Sequence, residues 1–395
     1  MLIVHDEAHL TPAFSDLLRR VADAQRQAAE PRPARVMELS ATQRNGHDDR
    51  DTLRLEAEDE QDPIVFGRLD ATRRLRLKTV GEKQNLVEKL VECAQAHDKT
   101  PCKVLIYVRS PDDAQKIAEQ LKRALGNSAN DRVALLTGTI RGYERDRLVN
   151  EHPVYRALLD HEWAVGQTVY LVSTSAGEVG IDLDADHMVC DLATLDSMIQ
   201  RLGRVNRRGG KGRIARVDVL WSEMEENPGE KARPVDKAIA ETFRILRSWM
   251  DESGGEDVDV SPRNLRKLVG ALSDDERAAA FSPKPEVPPL TDILLDNWSL
   301  TSIQKMPGRP EVASYLHGLT HDPPETYVAW RTEVRLLEEA NVANDALRDW
   351  FRACRLAARE RVRDNTDRVK KTLQNLLKAH RKKDDNSDFS VILLD

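Results

Sequence analysis

The strongest constraint on this chain is a run of short apolar segments, separated by helical patterns, between about residues 63 and 224. Lys103-Val104-Leu105-Ile106-Tyr107-Val108 is continuous and apolar, too short for a helix and without the alternation of a half-exposed strand. Such a segment suits a strand buried on both faces. Further strands are expected at 132–136, 168–173, 187–191 and 214–221, and helices at 83–97, 111–125, 143–149 and 195–205. Ser110-Pro111-Asp112-Asp113 is a strong helix start, with a capping hydroxyl, a first-turn proline and acids at the positive end of the dipole. Strands alternating with helices predict a parallel α/β sheet covered on both faces.

The flanks differ. Leu2-Ile3-Val4 reads as a strand, residues 13–30 as a helix ended by Pro31, and Val36–Leu39 as a second strand. Residues 43–62 are polar and acidic, a connector. After Ser222 the composition changes: 223–233 is acidic, 235–280 reads as helical, and Ser282-Pro-Lys-Pro-Glu-Val-Pro-Pro289 cannot be regular structure. Thr326–Arg331 suits a strand, and 345–383 one or two helices. From Arg352 to Lys383 there are 12 Lys/Arg against three acids. The expected division is 1–62, 63–224 and 225–395. The net charge of −7 excludes a histone-like polycation, so any nucleic-acid contact must come from local basic stripes. No run approaches 18 apolar residues, and no membrane is expected as a partner. Cys93, Cys102, Cys190 and Cys354 form no Cys-x-x-Cys pair, which suggests free thiols and a cytoplasmic setting.

Four constellations carry chemistry. Asp6-Glu7-Ala8-His9 follows the first strand. Carboxylates at the carboxyl end of a parallel strand face the ligand crevice of an α/β sheet. Asp6 could hold Mg²⁺ through water, Glu7 could orient or deprotonate an attacking water, and His9 could reach the next strand end. A plain acidic helix start explains those four residues equally well. Ser40-Ala41-Thr42 ends that next strand, and its hydroxyls could meet His9. In Ser173–Asp184, Gly177 and Gly180 allow close backbone approach to a ligand, Asp182 could accept a ribose hydroxyl, and Thr174 could touch a phosphate. Gln200-Arg201-Leu202-Gly203-Arg204-Val205-Asn206-Arg207 opens a stretch to Arg216 with seven Lys/Arg and no acid. Arg204 and Arg207, three apart, are expected on one helix face, suited to a polyphosphate. A solvated basic helix is the ordinary alternative.

In this order the motifs resemble those of superfamily 2 helicases. Asp6–His9 resembles their DEAH-type Walker B box, Ser40–Thr42 motif III, Val104–Ser110 motif IV, Ser173–Asp184 motif V and Gln200–Arg207 motif VI. The Gly177-Glu178-Val179-Gly180 core and Asn206 look most like the CRISPR-associated helicase–nuclease of type I interference systems, which serve antiviral defence. The resemblance implies a RecA-like lobe at 63–224, preceded by an incomplete first RecA-like lobe and followed by a mostly helical accessory region with a basic tail. It implies ATP and Mg²⁺ as cofactors and an ATP-dependent helicase or translocase activity. The catalytic roles fall to Glu7, Gln200, Arg204 and Arg207, metal binding to Asp6, and nucleotide contacts to Gly180 and Asp182. Coupling falls to His9, Ser40 and Thr42, and nucleic-acid contact to Arg109 and Thr174. Single-stranded DNA and the CRISPR surveillance complex are the implied partners.

One element of the pattern is absent. No Gly-x-x-x-x-Gly-Lys-Ser/Thr occurs in the 395 residues, and that loop supplies the backbone donors and lysine that cradle a triphosphate. The expectation is therefore the carboxyl part of a helicase, truncated, internally initiated or split, inactive alone and needing an amino-terminal helicase segment. A nuclease is not expected: the His-Asp pairs at 5, 47, 97 and 321 lack further ligands of suitable geometry. The alternatives are a non-catalytic module binding nucleic acid or a complex, and a general repair or RNA helicase fragment.

Overall fold

The computed structural model describes residues 1–40, 52–53, 55–81, 84–160, 162–210, 212–303, 307–309, 312–319, 324–331, 333, 336–337, 340 and 344–382. Thr42 lies outside the described residues. The strands are β1 (Leu2–His5), β2 (Arg35–Glu38), β3 (Arg73–Val80), β4 (Lys103–Tyr107), β5 (Val133–Leu136), β6 (Val169–Ser173), β7 (His187–Asp191), β8 (Ala215–Ser222), β9 (Val258–Asp259), β10 (Glu325–Ala329) and β11 (Arg361–Asn365). Two compact units divide the chain, one of 1–94 with 182–321 and the other of 95–181 with 322–395.

In the first unit β1 and β2 pair in parallel, Leu2 opposite Arg35 and His5 opposite Glu38. The Pro12–Gln27 helix connects them and buries Ala13, Ser15, Leu17 and Ala22. Paired residues of parallel strands share a face. Leu2 and Val4 of β1 and Met37 of β2 therefore lie together, and they remain 61%, 54% and 39% exposed. Parallel sheets are ordinarily covered on both faces, so this pair has the surface of a larger sheet's interior.

The same unit holds β7, β8 and β3 in parallel order, with β9 antiparallel at the edge. β3, Arg-Arg-Leu-Arg-Leu-Lys-Thr-Val, was not expected from the sequence, because four of its eight residues are basic. Its neighbours supply the acids. Lys78 Nζ lies 2.9 Å from Asp218 of β8, and Arg74 and Arg76 approach Asp257 before β9. Leu75 is fully buried. The region 235–280, read as helical, holds helices Pro234–Ser253, Pro262–Ala271 and Asp274–Ala280 interrupted by β9. The first buries Phe243 against Trp221 of β8, ring centroids 4.1 Å apart.

In the second unit β4 and β5 both pair in parallel with β6, and Val104 stands opposite Tyr170. The expected common sheet for these two apolar runs is present, and every residue of β4 is buried. Ser110 caps the Pro111–Leu125 helix by accepting from the Asp113 amide, as its sequence implied. A helix at Pro153–Leu159 went unrecognised, its proline following directly on the preceding helix. β10 falls where Thr326–Arg331 suggested a strand. Its antiparallel partner β11 lies inside the tail that reads as helical, between helices Asn344–Ala353 and Thr366–Lys382.

Candidate functional site

The acidic box begins where β1 stops. Glu7 takes a left-handed conformation (φ +50°), uncommon for a residue with a side chain, and the chain turns at once into the short Ala8–Leu10 turn. Two backbone bonds stitch this turn to β2: Leu39 N–H to His5 O at 2.9 Å and Ala8 N–H to Leu39 O at 3.0 Å. Asp6 is exposed and accepts from the Glu7 amide at 2.9 Å. His5 serves structure, set between Thr11 and Ser15 and edge-on to Phe14.

His9 is the hub. It is 6% exposed. Its Nδ1 lies 3.1 Å from Ser40 Oγ and 3.5 Å from Glu7 Oε2. Its Nε2 lies 2.9 Å from Gln200 Nε2. An amide nitrogen only donates, so His9 Nε2 accepts and the imidazole proton sits on Nδ1, toward Ser40 and Glu7. The structure thus brings together Glu7, His9, Ser40 and Gln200, residues expected to share a site although Gln200 lies 191 positions from His9.

The arginine segment differs from its expected form. The helix predicted at 195–205 ends at Leu202, with Gly203 at its C-cap. Val205 instead forms a parallel bridge to Ala185, and Asn206 turns the chain at φ +43°. Arg204 and Arg207 therefore do not share a helix face. β-bridging to the 185 segment competes with the last helical turn and wins. Arg204 is buried, 6% exposed. Arg207 is half-exposed, and its Nε lies 2.6 Å from Asp182. The residue suited to a ribose hydroxyl is thus engaged by an arginine.

Further ion pairs in this region were not expected from the sequence. Arg201, fully buried, donates to the Asp191 carboxylate at 3.0 Å and to its carbonyl at 2.9 Å. Arg213 spans Asp184 at 2.9 Å and Asp186 at 2.8 Å. Burial disfavours the Arg213 charge, but hydrogen bonds and the charges of those two acids outweigh it, and its pKa rises. Arg73 is buried too, and desolvation depresses its pKa to about 10. A signal was available: acids alternate at 182, 184 and 186, and the facing stretch carries arginines at 207, 208 and 213. Asn206 is fully buried and donates to the Thr72 and Arg213 carbonyls at 3.1 Å each. Asparagine suits both demands, a left-handed backbone and two donors. Gly209 (φ +72°) passes so near the Gly67 carbonyl that a Cβ would lie 2.1 Å from it.

In the second unit Gly180 has φ +80° with open space where a Cβ would stand. Gly177 is closed in, a Cβ there lying 2.4 Å from Ser173 Oγ, and its carbonyl accepts from the Tyr107 hydroxyl. Thr174 is buried, its amide bonded to Leu136 O at 3.1 Å. Arg109 follows β4.

Among the described residues no cluster of three or more His, Cys, Asp or Glu could hold a metal ion. A site for Mg²⁺ resting on Asp6 would thus be of the kind that uses one carboxylate, water and phosphate oxygens. No Gly-x-x-x-x-Gly-Lys-Ser/Thr pattern stands beside these groups anywhere in the 395 residues.

Residues 76–210 match the family model described as CRISPR-associated nuclease/helicase Cas3, C-terminal. A putative CRISPR-associated nuclease/helicase Cas3 of Myxococcus xanthus is 30% identical over 182 residues, 46% of this chain and 21% of the relative. The CRISPR-associated nuclease/helicase Cas3 of Haloferax volcanii is 41% identical over 111 residues, 27% of this chain and 11% of the relative. The chain thus spans about a fifth or less of the length of these curated relatives. Among solved structures, T. fusca Cas3 superposes with a TM-score of 0.51 at 18% identity, covering 76% of this chain and 37% of that one, a likeness of fold. Fold and matched residues agree: over residues 76–210 the chain is similar to the C-terminal part of the CRISPR-associated nuclease/helicase Cas3.

Proposed function

We propose that the chain supplies the acidic box, the coupling residues and the arginine segment of an ATP-driven DNA helicase or translocase acting in CRISPR interference. The observation that carries this reading is His9 held between Ser40 and Gln200, because it joins three separate motifs at one imidazole. ATP with Mg²⁺ would supply the phosphoanhydride whose hydrolysis drives motion. Asp6 would hold the ion and Glu7 would orient water. Arg204 and Arg207 would face charge developing on the γ-phosphate, with Gly180 and Asp182 toward the nucleoside. The Arg207–Asp182 pair would have to open for both residues to act. Arg109 and Thr174 would touch the DNA strand. Division by motif at 62 and 224 belongs to the same reading, as do cytoplasmic placement and docking on the surveillance complex. Among the described residues no helix is long and apolar enough to cross a membrane.

The exposed Leu2, Val4 and Met37 face supports a complementing segment that carries the phosphate loop and covers this sheet. Without it the chain should hydrolyse ATP negligibly. A second reading, a non-catalytic binding module, draws support from Arg207 and Asp182 already satisfying one another. A phosphate-release assay with single-stranded DNA separates them. The first reading requires turnover once a phosphate-loop segment is supplied, and its loss in Glu7→Gln with nucleotide binding retained. Inert mixtures that still bind DNA favour the second.

A further inference from the structure

The proposed site gives no task to the segment after residue 280, yet that segment is fastened to the helix bearing Gln200. Ser282 donates twice to Asp196 Oδ1, from its amide and from its hydroxyl, both at 3.0 Å. Its hydroxyl also lies 3.0 Å from Thr194 Oγ1. Thr194 is the N-cap of the Leu195–Leu202 helix, but its hydroxyl makes no capping bond to its own helix. An ordinary N-cap would turn inward; here it turns to a segment 88 residues away.

The segment is held on either side of Ser282. Upstream, fully buried Thr242 donates to Ala280 O at 3.2 Å, and Ala280 and Phe281 are buried. Downstream, Gly318 (φ +82°) passes so close to Pro285 that a Cβ would lie 2.4 Å from it, and Leu319 N–H reaches Glu286 O at 2.6 Å. Asp196 and Gln200 are four residues apart and share a helix face. One end of that face is tied to Ser282 and the other to His9. Between them lies a cavity of about 200 Å³, bordered by His9, Asp196, Ser282 and His317.

We propose that residues 280–286 form a strap that fixes the position of the Leu195–Leu202 helix, with Ser282 and Asp196 as positioning residues for the Gln200–His9 contact. The proposal gives the accessory region a regulatory hold on the site, and its effect on turnover rests on the function proposed above. Displacing the strap lets the helix start shift. Gln200 then leaves His9 Nε2, and the imidazole loses its single tautomer.

The test reads His9 directly in the full chain. Nitrogen-15 NMR of the ten histidines, with His9 assigned from its loss in His9→Asn, reports which ring nitrogen carries the proton. Ser282→Ala is expected to convert His9 from one Nδ1–H tautomer to a mixture, with a thermal midpoint within a few degrees of wild type. Ser282→Thr, which keeps the hydroxyl, restores the wild-type pattern. An unchanged His9 signal in Ser282→Ala overturns the proposal, as does a changed signal that Ser282→Thr fails to restore. Should Ser282→Ala fail to fold, the isosteric Asp196→Asn is read in the same way, and an unchanged signal there also overturns it. In the completed assembly kcat should fall roughly ten- to a hundredfold with KM for ATP unchanged, the cost of misplaced groups. A wild-type assembly without turnover would count against the proposed function, while the NMR result would still decide the strap.

Discussion

The acidic box and the arginine segment carry equally specific motifs, but they use their side chains differently. Around Glu7 and His9 the contacts are mostly uncharged hydrogen bonds, and both Asp6 and Glu7 keep access to solvent. From Asp182 to Arg213 charge is matched by charge within the segment itself: Arg201 with Asp191, Arg207 with Asp182, Arg213 with Asp184 and Asp186. The first region is organised to present groups, the second to hold a loop after its helix ends early at Gly203. An arginine-rich motif is therefore not by itself evidence of arginines free for a ligand. Some are fasteners, as the buried Arg201–Asp191 pair is.

The largest expected effect sharpens this division. In the completed assembly Glu7→Gln should reduce turnover to background with little change in the urea midpoint, because Glu7 is partly exposed and the amide keeps its shape. Arg204→Ala should also cost turnover, roughly 10³-fold if it acts as an arginine finger. Being buried, it should lower stability as well. A stability loss with turnover retained would assign Arg204 to the fasteners. Arg201→Ala should cost about 3–5 kcal/mol in equilibrium denaturation, since it removes the guanidinium that offsets the buried Asp191 carboxylate. A loss under 1 kcal/mol would show that the buried pair is not what holds the segment. Arg213→Ala should cost about 2 kcal/mol by the same measurement, from lost charge-assisted bonds to Asp184 and Asp186.

The smallest expected effect is a pH dependence at the third cationic element, β3. Partial burial opposes the Lys78 charge, but its hydrogen bond to Asp218 prevails and raises its pKa above the ordinary 10.5. A raised pKa in the folded state means that this contribution is complete below the unfolded pKa. It is lost as pH climbs through the folded one. Thermal midpoints should thus fall more steeply above pH 10.5 in the wild type than in Lys78→Met. Parallel curves would remove Lys78 from the account.

The position of the acidic box was legible because it follows an apolar run, Leu2–Val4, that forms β1. Ser40 is expected to meet His9 and Gln200 is expected only to be catalytic, and the fold places both against His9. β3 was illegible for a physical reason: its arginines and lysine are offset by Asp218 and Asp257, distant in sequence, and hydropathy sees only one partner. β11 was hidden similarly, since Arg361-Val362-Arg363-Asp364-Asn365 gains its strand only from β10. The helix end at Leu202 depends on a bridge between Val205 and Ala185, a long-range contact that outweighs local helical spacing. The strap at Ser282 carries no motif, and long-range hydrogen bonds such as that from Ser282 to Asp196 reveal it.

The central claim is that this chain holds part of an ATP site and needs the phosphate loop to complete it. The most direct measurement is phosphate release, with single-stranded DNA, by the purified chain before and after adding a segment that bears Gly-x-x-x-x-Gly-Lys-Ser/Thr. The account predicts background release from the chain alone, and DNA-stimulated release from the mixture that Glu7→Gln abolishes. Robust release by the chain alone, or release from the mixture indifferent to Glu7→Gln, would contradict it.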